Sequence, residues 1–232
     1  MSVKARVQML LGALAGLGLL GFCLGALYWL LAPQRFPVSQ FEITGNLKNA
    51  TRAEIEAALP RASGNFFALD LADVRAGVER LPWVRSVAVR RVWPATLEVS
   101  IEEHVALARW GDDALVNTHG ERFMAKTKEP LPLFMGPGGT AAEVARRYHR
   151  FAEILAPLGT GVERVVLTQR HAWQLRLGNG LHLMLGRDAD LAEERLRKFV
   201  AAYPATVARK KPEYVDLRYP NGFALRVPDR NG

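Results

Sequence analysis

The side chains that could do chemistry are few and far apart. His104, His119, His149, His171 and His182 are the five histidines. Neither among themselves nor with carboxylates do they show the pairwise spacing that marks a metal site. Adjacent acids occur at Glu102-Glu103, Asp112-Asp113 and Glu193-Glu194. Neighbours on a strand point to opposite faces, and on a helix they diverge by about 100°, so none of these pairs is a ready acid/base couple. The chain has neither a Gly-x-Ser-x-Gly elbow nor a glycine loop that could cradle phosphate. These residues call for no cofactor or metal. Catalysis survives only as an alternative in which distant residues assemble a site that no motif marks.

The remaining chemistry is that of surfaces, and the elements that carry them begin with a membrane segment. Val7–Gln34 contains no charged residue, and Leu10–Leu31 is almost wholly apolar. About 20 helical residues cross the roughly 30 Å of bilayer hydrocarbon. Tyr28 and Trp29 stand near the end of the stretch, where aromatic rings favour the headgroup layer. A cleaved signal peptide has a shorter apolar core, of about 7–15 residues, and a small-x-small cleavage site. Here Tyr28–Pro33 is a poor cleavage context, and Cys23 follows Phe22 rather than a lipoprotein motif. Lys4 and Arg6 precede the span without an acid, which by the positive-inside rule keeps residues 1–6 cytoplasmic and exports the rest. Gly12/Gly16 and Gly21/Gly25 form two small-xxx-small pairs, which suit a close helix partner but are also common in any membrane helix.

Cys23, the sole cysteine, lies inside the span, so the exported part must be stabilised by buried apolar surface alone. Two of the 31 basic residues and none of the 23 acidic ones precede Pro33, which leaves the remainder net basic. Export argues against nucleic acid as the reason, and scattered arginines read mostly as solvated faces.

Beyond the span, alternation predicts a strand over Val38–Thr44. Thr51 and Glu54 form a capping box for a helix stopped at Pro60, and Asp70 caps a second helix carrying Leu71, Val74, Val78 and Leu81 on one face. Strands follow at Val84–Val92 and Thr96–Glu102, joined through Trp93-Pro94-Ala95. Residues 36–103 thus run β-α-α-β-β. From His104 the pattern shifts to shorter strands: Val105–Trp110, Ala114–Asn117, Val162–Leu167, Ala172–Leu177 and Leu181–Leu185. Helices are expected at Glu143–Leu155 and Leu191–Ala202, and residues 129–139, rich in proline and glycine, read as a loop. A final hairpin pairs Tyr214–Tyr219 with Phe223–Val227 across Pro220-Asn221-Gly222. Nothing in the chain obviously pairs with the outer side of Phe223–Val227. Such an edge is either blunted, here by Arg226, or open to β-augmentation by a partner segment.

The order of parts, with a run of short motifs, resembles the FtsQ family of bacterial division proteins. The motifs are Phe41-Glu-Ile-Thr-Gly-Asn46, Leu81-Pro-Trp-Val84, Arg90-Arg-Val-Trp-Pro94, Leu97-Glu-Val99, Val116-Asn-Thr-His-Gly120, Leu185-Gly-Arg187 and Tyr214-Val-Asp-Leu-Arg-Tyr219. The resemblance implies an α+β protein with a cytoplasmic tail (1–6), one transmembrane helix (7–32), a POTRA domain (33–103), a β-rich domain with an antiparallel sheet and flanking helices (104–228) and a short tail (229–232). It also implies a non-enzymatic scaffold in the inner membrane, concentrated at the septum, that binds the coiled-coil proteins FtsB and FtsL and links early to late division proteins. FtsB would add a strand to the last edge. Carried onto matching positions, the contact surface comprises Arg187, Arg218, Tyr219, Asn221, Gly222, Phe223, Ala224, Leu225, Arg226 and Val227. The sequence departs from the family at Pro220, usually more polar, and at Val227, where relatives can carry an aromatic. A POTRA-bearing secretion component and an anchored peptidoglycan-binding or hydrolytic protein are the competing classes.

Overall fold

A computed structural model describes residues 3–32, 36–60, 65–210, 212–219 and 222–227. It divides into two compact units, Met1–Glu103 and His104–Gly232.

The first unit opens with helix α1 (Val3–Leu31), in which Leu11–Leu30 is long and apolar enough to cross a membrane. Its described side chains, such as Leu17, Leu20 and Phe22, are exposed, as lipid-facing groups would be. The β-α-α-β-β order follows as β1 (Gln40–Thr44), α2 (Arg52–Ala58), α3 (Leu71–Val78), β2 (Val84–Val92) and β3 (Thr96–Glu103). The three strands lie in the order β1-β3-β2, with β1 parallel to β3 and β2 antiparallel to it. The capping box forms as read. The Thr51 hydroxyl accepts from the Glu54 amide at 3.2 Å, while Glu54 Oε2 accepts from the Thr51 amide at 2.8 Å. Ile55 on α2 and Val74 and Val78 on α3 are fully buried against Val87, Val99 and Ile101 of the sheet.

The adjacent acids Glu102 and Glu103 diverge as alternation requires. Glu102 reaches Arg85 (2.7 Å) and the Ser86 hydroxyl (2.9 Å), whereas Glu103 accepts from the amides of Lys48, Asn49 and Ala50.

Among the described residues of the second unit, nine strands form one sheet in the order β12-β11-β10-β9-β8-β7-β4-β5-β6. These are β4 (Ala106–Trp110), β5 (Ala114–Asn117), β6 (Arg122–Phe123), β7 (Leu133–Met135), β8 (Val162–Leu167), β9 (Trp173–Leu177), β10 (His182–Gly186), β11 (Tyr214–Asp216) and β12 (Ala224–Arg226). The sheet, expected to be antiparallel, is mixed. Helix α4 (Ala141–Leu155) carries the chain from β7 to a parallel β8, and α5 (Ala189–Ala202) carries it from β10 to a parallel β11. Each is a crossover unit, because parallel neighbours cannot be joined by a tight turn.

The segment 129–139, read as a loop, contains β7. Proline at 130, 132 and 137 hides the strand from any pattern search. Its three residues nevertheless sit mid-sheet, pairing in parallel with β4 on one side and β8 on the other, and Phe134 is fully buried. A strand this short carries no alternation to detect.

Both helices join the sheet in one core. Phe151 packs edge-on to Trp173 at 5.6 Å, Phe199 and Leu196 are fully buried, and Arg147 of α4 binds Asp190 and Glu193 of α5. Buried Asn117 organises the turn after β5. Its Oδ1 accepts from the amides of His119 and Glu121, while Nδ2 donates to Glu121 Oε2 at 2.7 Å and lies 2.9 Å from His104 Nδ1. Gly120 in the same turn has φ +80°, and a Cβ there would stand 2.7 Å from Ala142 Cα. The Val116-Asn-Thr-His-Gly120 motif is therefore architecture.

Candidate functional site

Strand β12 ends the sheet. Its register with β11 runs Tyr214↔Arg226, Val215↔Leu225 and Asp216↔Ala224, and β11 is its single neighbour among the described residues. The expected hairpin is thus shorter than read: Leu217–Tyr219 leaves the ladder, and the Leu217 amide instead donates to the Met184 carbonyl at 2.8 Å.

Alternation within the edge is clear. Phe223 packs edge-on to Phe199 at 5.7 Å, and Phe223 and Leu225 lie against the core. Ala224 and Arg226 are exposed, and the Arg226 guanidinium stands 5.8 Å from the Tyr214 ring centroid. The Arg226 carbonyl accepts from the Glu213 amide at 3.1 Å, so the backbone polar groups of Arg226 face β11. Those of Leu225, one residue earlier, are directed to the open side, because polar groups alternate along a strand. Val227 is 45% exposed and Tyr219 55%. Gly222 is exposed; Asn221 and Pro220 lie outside the described residues.

Two strands in from this edge, where β9 and β10 meet the start of α5, lies an open cavity of about 800 Å³. Arg170, Arg187, Arg195 and Arg218 line it, with Met184 and Leu191 supplying apolar surface and Asp188 the acidic group of the lining. Asp188 is already engaged, capping α5 by accepting from the amides of Asp190 and Leu191. The cavity is electropositive, which suits a carboxylate-bearing segment.

Arg218 is held in place rather than free to sample. Its Nε and Nη2 grip the carboxylate of buried Asp216 at 2.6–3.1 Å, and its own amide donates to Asp216 Oδ1 at 3.0 Å. The hydrogen bond from Arg218 holds the Asp216 carboxyl below its ordinary value, outweighing the upward push of burial. Gly186, with φ +92° at a register shift between β9 and β10, passes the Arg218 stem closely: a Cβ there would lie 3.4 Å from its Cγ.

Of the residues named from the sequence, Arg187 and Arg218 therefore meet at one cavity, whereas residues 223–227 form the edge strand and do not line it. Arg170 and Arg195 were missed. No local pattern announces them, since Arg170 comes from the β8–β9 turn and Arg195 from the middle of α5. The Asp216-Leu-Arg218 pair was readable, because residues two apart on an extended chain share a face. Among the described residues there is no cluster of three histidine, cysteine or acidic groups that could hold a metal.

Comparison with known proteins agrees with this layout. Residues 36–104 match the family model "POTRA domain, FtsQ-type", and residues 108–218 match "Cell division protein FtsQ/DivIB, C-terminal". The chain is 40% identical to the cell division protein FtsQ of Burkholderia pseudomallei, over 96% of this chain and 92% of that one. It is 45% identical to that of Nitrosospira multiformis over 79% and 78%, and 38% identical to that of Neisseria gonorrhoeae over 88% and 85%. With its apolar helix, POTRA domain and sheet-rich domain in this order, the chain belongs to the FtsQ/DivIB family of bacterial cell division proteins.

Proposed function

We propose that this protein is a bitopic, non-enzymatic scaffold of the division machinery, and that it binds FtsB and FtsL through the β12 edge and the arginine-lined cavity at the end of β10. Its N-terminus is cytoplasmic, its two folded domains are periplasmic, and it gathers at the septum to link early and late division proteins. The observation that carries the reading is β12 at the end of the sheet, with β11 its single neighbour among the described residues. A partner strand gains backbone hydrogen bonds there, while acidic side chains flanking that strand meet Arg187 and Arg218. Arg187, Arg218, Tyr219, Asn221 and Gly222 belong to the contact surface with Phe223–Val227.

Depletion of the protein tests the reading first. Filaments are expected, and full-length chain purified from membranes should retain FtsB and FtsL. Single alanine substitutions at the five histidines should all support division. An indispensable histidine in a stably folded variant would end the scaffold-only view. A phosphatase fused after Gly232 should be active, since that end is placed in the periplasm.

A further inference from the structure

The first unit carries two aromatic side chains that stand exposed at one end of its sheet. Trp93 is 69% exposed and Phe67 is 41% exposed. Both lie at the end of the sheet where the chain arrives from α1. The Ser39 amide donates to the Ala95 carbonyl at 2.9 Å, which ties the β2–β3 turn bearing Trp93 to the segment just before β1. Phe67 packs edge-on to Phe36 at 5.4 Å, and Phe36 in turn packs edge-on to Trp29 of α1 at 6.3 Å. Arg91, preceding the turn, donates to the carbonyls of Phe66 and Leu69 and so holds the Phe67 loop against the same end.

A polar latch joins this end to the helix. Asn65 is 3% exposed, and its Nδ2 donates to the carbonyls of Leu30 and Ala32 at 2.8 Å each, groups that a helix C-terminus leaves without intrahelical partners. Its Oδ1 accepts from the amides of Phe67 and Ala68. One side chain thereby fixes the Phe67 loop to the last turn of α1.

From this we infer that Trp93 and Phe67 are seated in the headgroup layer of the leaflet at which α1 ends, so that the POTRA domain rests on the bilayer surface. The occupant is lipid, because Phe67 continues, through Phe36, the ring contacts of Trp29 at the end of an apolar helix long enough to cross a membrane, Trp93 lies at the same end of the sheet, and tryptophan is enriched at headgroup depth. The inference rests on α1 being a span and is independent of the partner strand.

The test uses the full-length chain with Cys23→Ser in nanodiscs of phosphatidylethanolamine and phosphatidylglycerol. Single nitroxide labels are placed at Leu17→Cys, Ala68→Cys and Lys48→Cys. Lys48 marks the far end of the sheet, its amide bonding Glu103 at the finish of β3. The Ala68 label should collide several-fold more with oxygen than with a water-soluble nickel chelate, like the Leu17 label, and the Lys48 label should do the reverse. Trp93→Ser with Phe67→Ser should release the Ala68 label to water while the Leu17 label stays protected. Trp93→Ser alone, at a residue outside the apolar clusters, should do so in part without lowering the melting temperature. An Ala68 label as open to nickel as Lys48, beside a protected Leu17 label, overturns the seating. Protection of Ala68 that appears only when FtsB and FtsL are added overturns it too, since a protein would then cover the aromatics. A Leu17 label open to nickel removes the span itself, and the seating with it.

Discussion

Asp216 and Arg218 stand two residues apart at the end of β11, joined by a forked guanidinium–carboxylate contact, with the acid 8% and the base 56% exposed at the side chain. The acid is the buried partner, so the pair's stability contribution follows the acid. Its folded value is depressed, so the contribution is complete above the ordinary carboxylate range. It is lost as pH falls below about 4 toward the lowered value. Arg218→Met should therefore lower the melting temperature at pH 7 and approach the parent's behaviour near pH 2. Melting curves across that range measure the convergence.

The parity of the β12 edge predicts opposite phenotypes at adjacent residues. Leu225→Pro removes an amide directed to the open side, so the domain should fold while FtsB binding falls at least tenfold, roughly 1.4 kcal/mol. Leu225→Ala keeps the amide and controls for lost packing. Arg226→Pro removes a group facing β11 and should lower the melting temperature of the whole domain. Binding unaffected in a folded Leu225→Pro variant would place the interface elsewhere.

The four-arginine cavity predicts salt-sensitive partner binding. Arg187→Glu should weaken FtsB binding about tenfold at low salt and flatten its dependence on salt concentration, with the melting temperature unchanged. Titration of FtsB at two ionic strengths reads both effects.

Asn117→Ala should be among the more damaging polar changes. It strands the amides of His119 and Glu121 in a turn that supports β5, at a cost of about 2–4 kcal/mol by denaturant unfolding. Thr51→Ala, at an exposed cap, should cost about 1 kcal/mol.

These contrasts also mark what was legible in the sequence. The first unit was readable almost residue by residue, because each element carries its own signal: a capping box at Thr51, a cap at Asp70, a clean alternation over Leu97, Val99 and Ile101. The second unit was readable except where pairing is set by distant partners. Strand β7 owes its existence to β4 and β8, and β6 has only two residues. The edge itself was visible as the last strand read, Phe223–Val227. The cavity was half visible, since Arg187 and Arg218 sit in strand-end motifs while Arg170 and Arg195 arrive through tertiary packing alone. Arg91, named only within the Arg90–Pro94 motif, fastens a loop by its carbonyls.

The two crossover units have a consequence for biogenesis. Among the described residues β12 is stitched to β11 alone, and β11 reaches its place beside β10 only after α5 has crossed the sheet. If that flank receives a partner strand as proposed, a nascent chain cannot display it while α5 is undocked, and half-made molecules would stay invisible to the partner. Recruitment would then act as a proofreading step, in which only completed copies are drafted into the growing septum.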